Sequence, residues 1–200
     1  MKKEDMRTRR TKKSLKKAIS YLIINESIES ISVTDICKKA DINRVTFYTH
    51  YQDKYALLHE LLHDIIELID RENQLYFQKN KTGDIIKDYT NMISHSVYKI
   101  CFENKLLIKA LSNQENLIFT KMVEDIVVKE GIKHITAINN LVEYKYPNEF
   151  TIQFLLGGFS KLVFEYALNE NNLTEKEFFV YFNTLFYSLL KSEIFFKMKQ

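Results

Sequence analysis

Apolar residues recur along this chain at three- and four-residue steps, the spacing that places them on one face of an α-helix. Leu15, Ala18, Ile19 and Leu22 form the first such stripe, in a helix expected over residues 8–25. Its opposite face carries Arg9, Lys12, Lys13, Lys16 and Lys17. Residues 26–31 read as a connector. Ser32-Val-Thr-Asp35 then has the form of a capping box, a hydroxyl at the N-cap and a carboxylate three positions on, and predicts a second helix over 32–40. Asp41 stands where a left-handed residue closes a helix. Asn43 is placed to cap a third helix ending near Tyr51. A long fourth helix is expected over 54–77 and would tie the N-terminal segment rigidly to the remainder of the chain. Further helices are expected over 84–103, 105–111, 115–140 (with a kink at Gly131) and 149–169. A last one, opened by a second capping box at Thr174-Glu-Lys-Glu177, should run nearly to the C-terminus. Tyr146-Pro147-Asn148 is a loop, and 79–83 and 170–173 break the periodicity.

These elements predict an all-α protein: a three-helix N-terminal head over 1–53, joined by the long helix to a helical domain over 54–200. Composition agrees. One proline and four glycines in 200 residues leave little room for the turns of an all-β fold. The first residues are charged and lead into no apolar signal segment. No stretch approaches the roughly 18 to 20 uncharged apolar residues of a membrane span. Cys37 and Cys101 match no disulfide or CxxC framework. A reduced, cytoplasmic protein with no membrane association is therefore expected, and no cofactor or metal is called for.

Charge adds direction. Residues 1–54 hold 13 Lys/Arg against 7 Asp/Glu, net +6, whereas residues 55–200 hold 16 against 19, net −3. A basic head on a mildly acidic body points the head at a polyanion.

Two short helices separated by a three-residue turn have the geometry of a helix-turn-helix. Ile36 and Ala40 should face inward beside the small Cys37, and Ile42 should plug the turn. Phe47 and Tyr51, four residues apart, share one face of the second helix and should pin it to the core. Arg44, Val45, Thr46, Tyr48 and Thr49 are then left outward, on the helix expected in the major groove. Their chemistry suits DNA. Arg44 reaches a guanine edge or a phosphate, and Val45 and Thr46 meet a thymine methyl or a phosphate. Thr34, Tyr48 and Lys54 are phosphate-contact types. Amides opening the second and fourth helices would add anion contacts.

The stretch Ser32-Val-Thr-Asp-Ile-Cys-Lys-Lys-Ala-Asp-Ile-Asn-Arg-Val-Thr-Phe-Tyr-Thr-His-Tyr-Gln-Asp-Lys-Tyr-Ala-Leu-Leu58 resembles the N-terminal domain of the TetR family of bacterial transcriptional regulators. Its most specific part is Thr46-Phe-Tyr-x-His-Tyr-x-x-Lys54 followed by Ala-Leu-Leu, and the likeness covers about residues 8–62. It implies that Thr34, Asn43, Arg44, Val45, Thr46, Tyr48, Thr49, His50 and Lys54 lie at the double-stranded DNA operator. Asp41 stands where the family usually has Gly, and Asp tolerates the left-handed conformation. Asn43 replaces a frequent Ser and caps equally well.

The resemblance further implies that the body binds an effector and dimerises. Its last two helices would form the homodimer interface through Phe154, Leu155, Gly158, Leu162 and Tyr166 on one and Phe178, Phe182, Leu185, Phe186 and Leu189 on the other. The same stripes could instead fill the monomer's own core. An effector pocket, if present, is expected among the middle helices, lined by Tyr89, Met92, His95, Tyr98, Phe102, Phe119 and Met122. That lining suits a small lipophilic or aromatic molecule, although aromatics at helical spacing also serve as plain core. The segment 154–168 is similar to one C-terminal subtype of the family, with Phe164 where Trp is frequent. Some members of that subtype answer to a partner protein. The functional expectation is thus a dimeric repressor, with a partner-responsive regulator as the alternative. A remote third reading comes from His59-Glu-Leu-Leu-His63, which spells the HExxH of zinc hydrolases without an assignable third ligand.

Overall fold

Both capping boxes are built as their sequences imply. Ser32 Oγ accepts from the Asp35 amide at 3.2 Å while Asp35 Oδ2 accepts from the Ser32 amide at 3.0 Å. Thr174 Oγ1 accepts from Glu177 N at 3.3 Å, and Glu177 Oε2 accepts from Thr174 N at 2.8 Å. Each box satisfies two amides that a helix start otherwise leaves without partners. The computed structural model describes residues 6–103, 110, 117–137, 142–167, 173–192 and 194–198. Its helices are α1 (Met6–Leu22), α2 (Val33–Ala40), α3 (Arg44–Tyr48), α4 (Lys54–Lys79), α5 (Ile85–Glu103), α6 (Leu117–Ala137), α7 (Asn148–Ala167) and α8 (Glu175–Lys191). The helix expected over 105–111 lies outside the described residues except for Ala110.

The all-α expectation holds, with one local addition. The final helix stops at Lys191, and Phe196–Met198 (β2) pairs antiparallel with Val142–Tyr144 (β1) in the register Val142↔Met198, Glu143↔Lys197, Tyr144↔Phe196. The sequence favours a continued helix there because Ile194, Phe195 and Phe196 keep an apolar pattern. Ser192 closes α8 by donating its amide to Ser188 O and its hydroxyl to Leu189 O, both at 2.9 Å. Three-residue strands carry no readable periodicity of their own.

The chain divides into two units, Met1–Glu67 with Leu106–Met122, and Leu68–Lys105 with Val123–Gln200, so the division falls inside α4. In the first, Leu15, Ile19, Ile28, Ile31, Ile36, Phe47, Leu57 and Leu58 have no exposed surface at all. Ile28 and Ile31 belong to the 26–31 connector, which thereby contributes core.

In the second unit, α5 packs on α8. One cluster gathers Leu155 and Leu190 with Ile86, Tyr144, Phe159, Phe186, Leu189 and Phe195; another gathers Phe178 and Phe182 with Ile93, Val97, Phe159 and Leu173. Polar pairs fix the register of these helices. Asn183 donates to Asn91 at 2.9 Å and to Ser94 at 3.1 Å, and Asp84 accepts from Tyr187 OH at 3.0 Å beside Lys191. Asn73 with Ser96, Glu72 with Lys99 and the stacked rings of Tyr76 and His95 join the end of α4 to α5. No described helix is long and apolar enough to cross a membrane.

Candidate nucleic-acid interface

The turn between α2 and α3 begins at Asp41, the sole non-glycine residue with positive φ among the described residues (φ 55°, ψ 48°). Its left-handed backbone turns the chain so that Ile42 N donates to Cys37 O at 3.0 Å, closing α2. Asn43 then caps α3, its Oδ1 accepting from Val45 N at 2.8 Å. The helix is little longer than a single turn and cannot hold its shape alone. Phe47 anchors it. That ring is fully buried, packed edge-on to Tyr48 (centroids 5.4 Å) and tilted against the buried Tyr51 (5.8 Å).

With Phe47 inside, the remaining side chains of α3 divide as the pattern requires. Arg44, Val45, Tyr48 and Thr49 are exposed, and Thr46 and His50 are half-buried. Val45 is 73% exposed, a large apolar side chain held in water on an otherwise polar surface. Thr49 Oγ1 donates to Thr46 O at 2.7 Å, so its hydroxyl proton is engaged within the helix. Thr34 is exposed on the first turn of α2, just after the half-buried Val33. The amides expected to meet anions are partly engaged by their own caps: Asp35 N by Ser32 and Ala56 N by Asp53 Oδ1 at 2.8 Å.

Lys54 has a defined place. Its ammonium donates to Glu29 O at 2.8 Å and Ile31 O at 2.7 Å, bracing the connector ahead of α2 from the first turn of α4. A second brace goes beyond what the sequence alone suggested. Lys16 reaches Glu60 at 2.7 Å and Asp64 at 2.5 Å, with Lys12 also on Glu60 at 3.3 Å, clamping α1 to α4. Burial opposes the charge on Lys16, but the hydrogen bonds it donates to Asp64 and Glu60 and their negative charge outweigh it and raise its pKa. Burial likewise opposes the Glu60 carboxylate, and Lys16 and Lys12 nonetheless hold its pKa below the usual value. The signal was legible in principle, since Lys12/Lys16 and Glu60/Asp64 are both four-residue pairs. This clamp also bears on the HExxH letters. Glu60 is ion-paired, His59 and His63 are exposed with His63 Nδ1 3.7 Å from Glu67, and no metal-binding group of three occurs among the described residues.

On α5, within the expected effector pocket, Tyr89 and Met92 are buried, His95 stacks on Tyr76, and Tyr98 meets Phe179 edge-on at 6.2 Å. Phe119 is fully buried and Met122 half-buried, both in the first unit, whereas the α5 residues belong to the second. Of the two apolar stripes, Leu155, Phe178 and Phe182 lie in the chain's own core, and Phe186 and Leu189 are packed against it. Phe154 (59%), Leu162 (43%) and Leu185 (45%) are exposed, together with Gly158. Phe150, Val180 and Tyr181, which periodicity did not mark, join that exposed face. The side chains of Cys101, Phe102, Phe164 and Tyr166 lie outside the described residues.

A capped helix, a left-handed turn and a second helix pinned by one buried ring define a helix-turn-helix. Residues 17–61 match the family model of bacterial regulatory proteins, tetR family. A 68-residue stretch is 37% identical to the uncharacterized HTH-type transcriptional regulator YxbF of Bacillus subtilis (strain 168). It covers 33% of this chain but only 18% of that relative. Over the whole fold, the chain resembles a TetR-family transcriptional regulator from Syntrophomonas wolfei (TM-score 0.73, 16% identity, 90% of this chain and 95% of that one). It also resembles the regulator FadR of Bacillus subtilis solved with stearoyl-CoA (TM-score 0.65, 15% identity, 90% and 97% covered).

Proposed function

We propose that this protein is a homodimeric transcriptional repressor that holds an operator in double-stranded DNA and releases it when a small lipophilic or aromatic effector binds the helical body. The observation that carries the reading is α3, fixed from behind by Phe47 while Arg44, Val45, Tyr48 and Thr49 face solvent. On this reading Arg44 meets a guanine edge, Val45 and Thr46 a thymine methyl, and Thr34, Tyr48, Thr49 and His50 the flanking phosphates. Asn43 sets the start of the helix and Lys54 braces the segment behind it.

Two heads read two half-sites only if the chain pairs. The exposed apolar face of α7 and α8, with Phe150, Phe154, Gly158 and Leu162 facing Tyr181 and Leu185 of a second copy, supports pairing. For the effector, support comes from α5. The Tyr89 hydroxyl, like that of Thr151 on α7, is buried without a hydrogen-bond partner among the described residues. An unmet buried hydroxyl costs about 1–3 kcal/mol, and a ligand bearing a polar group beside its apolar body would remove that cost. Burial pushes the Tyr89 phenol well above its usual range, so it would act as a neutral donor. The fold shared with a regulator solved with stearoyl-CoA is in keeping with a largely apolar ligand.

The test is binding of the purified protein to its own promoter DNA against random competitor duplex, across a salt series. Specific binding that survives competitor is expected, weakened by roughly 1–2 kcal/mol in Thr46→Ala or Tyr48→Ala with the melting temperature unchanged. Wild-type binding that competitor and salt erase completely would overturn the reading.

A further inference from the structure

The first helix carries more positive charge than the head uses internally. α1 contains Arg7, Arg9, Arg10, Lys12, Lys13, Lys16 and Lys17 and no acidic residue. Lys12 and Lys16 turn toward α4 and its carboxylates. Arg9, Arg10 and Lys13 are exposed on another side, with the exposed Lys17 one turn beyond. Arg9, Lys13 and Lys17 succeed one another at four-residue steps and Arg10 precedes Lys13 by three, so like charges are stacked along one face, an arrangement that destabilises a helix. The arginines also sit at the end where the helix dipole is already positive. An anion laid along this face would relieve both repulsions.

Its position matters as much as its charge. Lys12 Nζ lies 5.7 Å from the centroid of the Tyr51 ring, and Tyr51 packs 5.8 Å from Phe47 at the exit of α3. The N-terminal half of α1 therefore runs beside the end of the recognition helix, within the same unit. We propose that Arg9, Arg10, Lys13 and Lys17 form a second DNA-binding surface, one that grips duplex phosphates flanking the base pairs read by α3. This inference rests on the head being a DNA-binding domain. The surface would add affinity without sequence preference, because each neutralised phosphate releases counterions whatever the bases.

The test compares the full chain with its Arg9→Gln/Lys13→Gln/Lys17→Gln variant on an operator-containing duplex across a salt series. The slope of log affinity against log salt is expected to fall by about one unit for each phosphate that is no longer neutralised. The ratio of operator to random binding should be kept, and the melting temperature should stay level or rise as the repulsions go. Trimming the duplex flanks should cost the wild type the same affinity and leave the variant unaffected. An unchanged slope on the long duplex, or a wild type indifferent to trimming, would overturn the proposal. So would a variant that loses binding to anionic phosphatidylglycerol vesicles while keeping its DNA slope, since the surface would then serve a membrane. Absence of duplex binding by the wild type itself would remove the underlying DNA reading instead, and Arg44→Gln, which should reduce operator preference and leave flank trimming effective, keeps the two failures apart.

Discussion

The head and the body of this chain leave different surfaces to their surroundings. Across α1–α3 the large exposed apolar side chains are Met6, Tyr21, Val45 and Tyr48, scattered among cations, and Lys39 already covers Tyr21 at 3.5 Å. Along α7 and α8, Phe150, Phe154, Leu162, Val180, Tyr181 and Leu185 are all exposed. Isolated exposed apolar residues are ordinary, whereas a run of them along one helix pair suits contact with another apolar face. A polyanion suits the first surface, and a second apolar face suits the other. The two regions also differ in how they are held. The head relies on an aliphatic core around the buried ring of Phe47, with caps and ammonium braces, whereas the body relies on aromatic clusters tied by polar cross-links.

Removing the ring should have the largest effect. Phe47→Ala empties a fully buried site under α3, at a cost of about 3–5 kcal/mol. Chemical denaturation followed by circular dichroism should show the head melting ahead of the body. A single unshifted transition would break the distinction between a head whose recognition helix hangs on one ring and a body held by many. Next comes Phe154→Asp with Tyr181→Asp. Both residues are exposed in the single chain, so the fold should survive while self-association weakens by roughly 100-fold or more, because paired chains would bury the new carboxylates. Analytical ultracentrifugation over a concentration series reads this directly. Unchanged association would place the pairing surface elsewhere.

The same contrast governs what could be read from the sequence. Ser32, Asp35, Asp41, Asn43, Thr174 and Glu177 act locally, through backbone amides a few residues away, and each plays in the structure the part its spacing implies. Phe47 and Tyr51 were legible because only one side of a short helix can be buried. In α7 and α8 apolar residues occur on more than one side, so periodicity could not say which side faces inward. Leu155, Phe178 and Phe182 went into the core, and neighbouring Phe154 and Tyr181 did not. Ile28 and Ile31 went unread as core because a short connector has no period. The β1–β2 ribbon joins segments far apart along the chain, and no local signal announces such a pairing.

Lys54 sharpens the contrast at intermediate size. A lysine opening the helix behind a helix-turn-helix suits a phosphate, yet its ammonium holds Glu29 O and Ile31 O. Hydrogen bonds from a charged donor contribute about 1.5–3 kcal/mol, and the partial exposure of Lys54 puts the lower part of that range nearer. Lys54→Met should therefore lower head stability by about 1–2 kcal/mol and weaken DNA binding without changing its salt slope. A slope reduced by about one unit with stability intact would instead make Lys54 a phosphate contact.

The smallest effect compares two like devices, one in each region. Hydrogen bonding by Ser32, first through its hydroxyl and then its amide, lowers the pKa of Asp35 below its usual 3.8. Thr174 does the same for Glu177, below its usual 4.5. A carboxyl whose pKa is lower folded than unfolded binds protons more readily when unfolded, so its contribution is fully present above the unfolded value and fades as pH falls toward the folded one. Glu177 should begin to lose its contribution from about pH 4.5 and Asp35 from about pH 3.8. Ser32→Ala and Thr174→Ala remove the acceptor from each box in turn. Each is expected to lower stability modestly at neutral pH, with the deficit against wild type shrinking on acidification, first for the Thr174 variant and later for the Ser32 variant. Deficits that hold constant from pH 6 down to pH 3 would mean that the carboxylates contribute nothing and that the hydroxyls cap these helices alone.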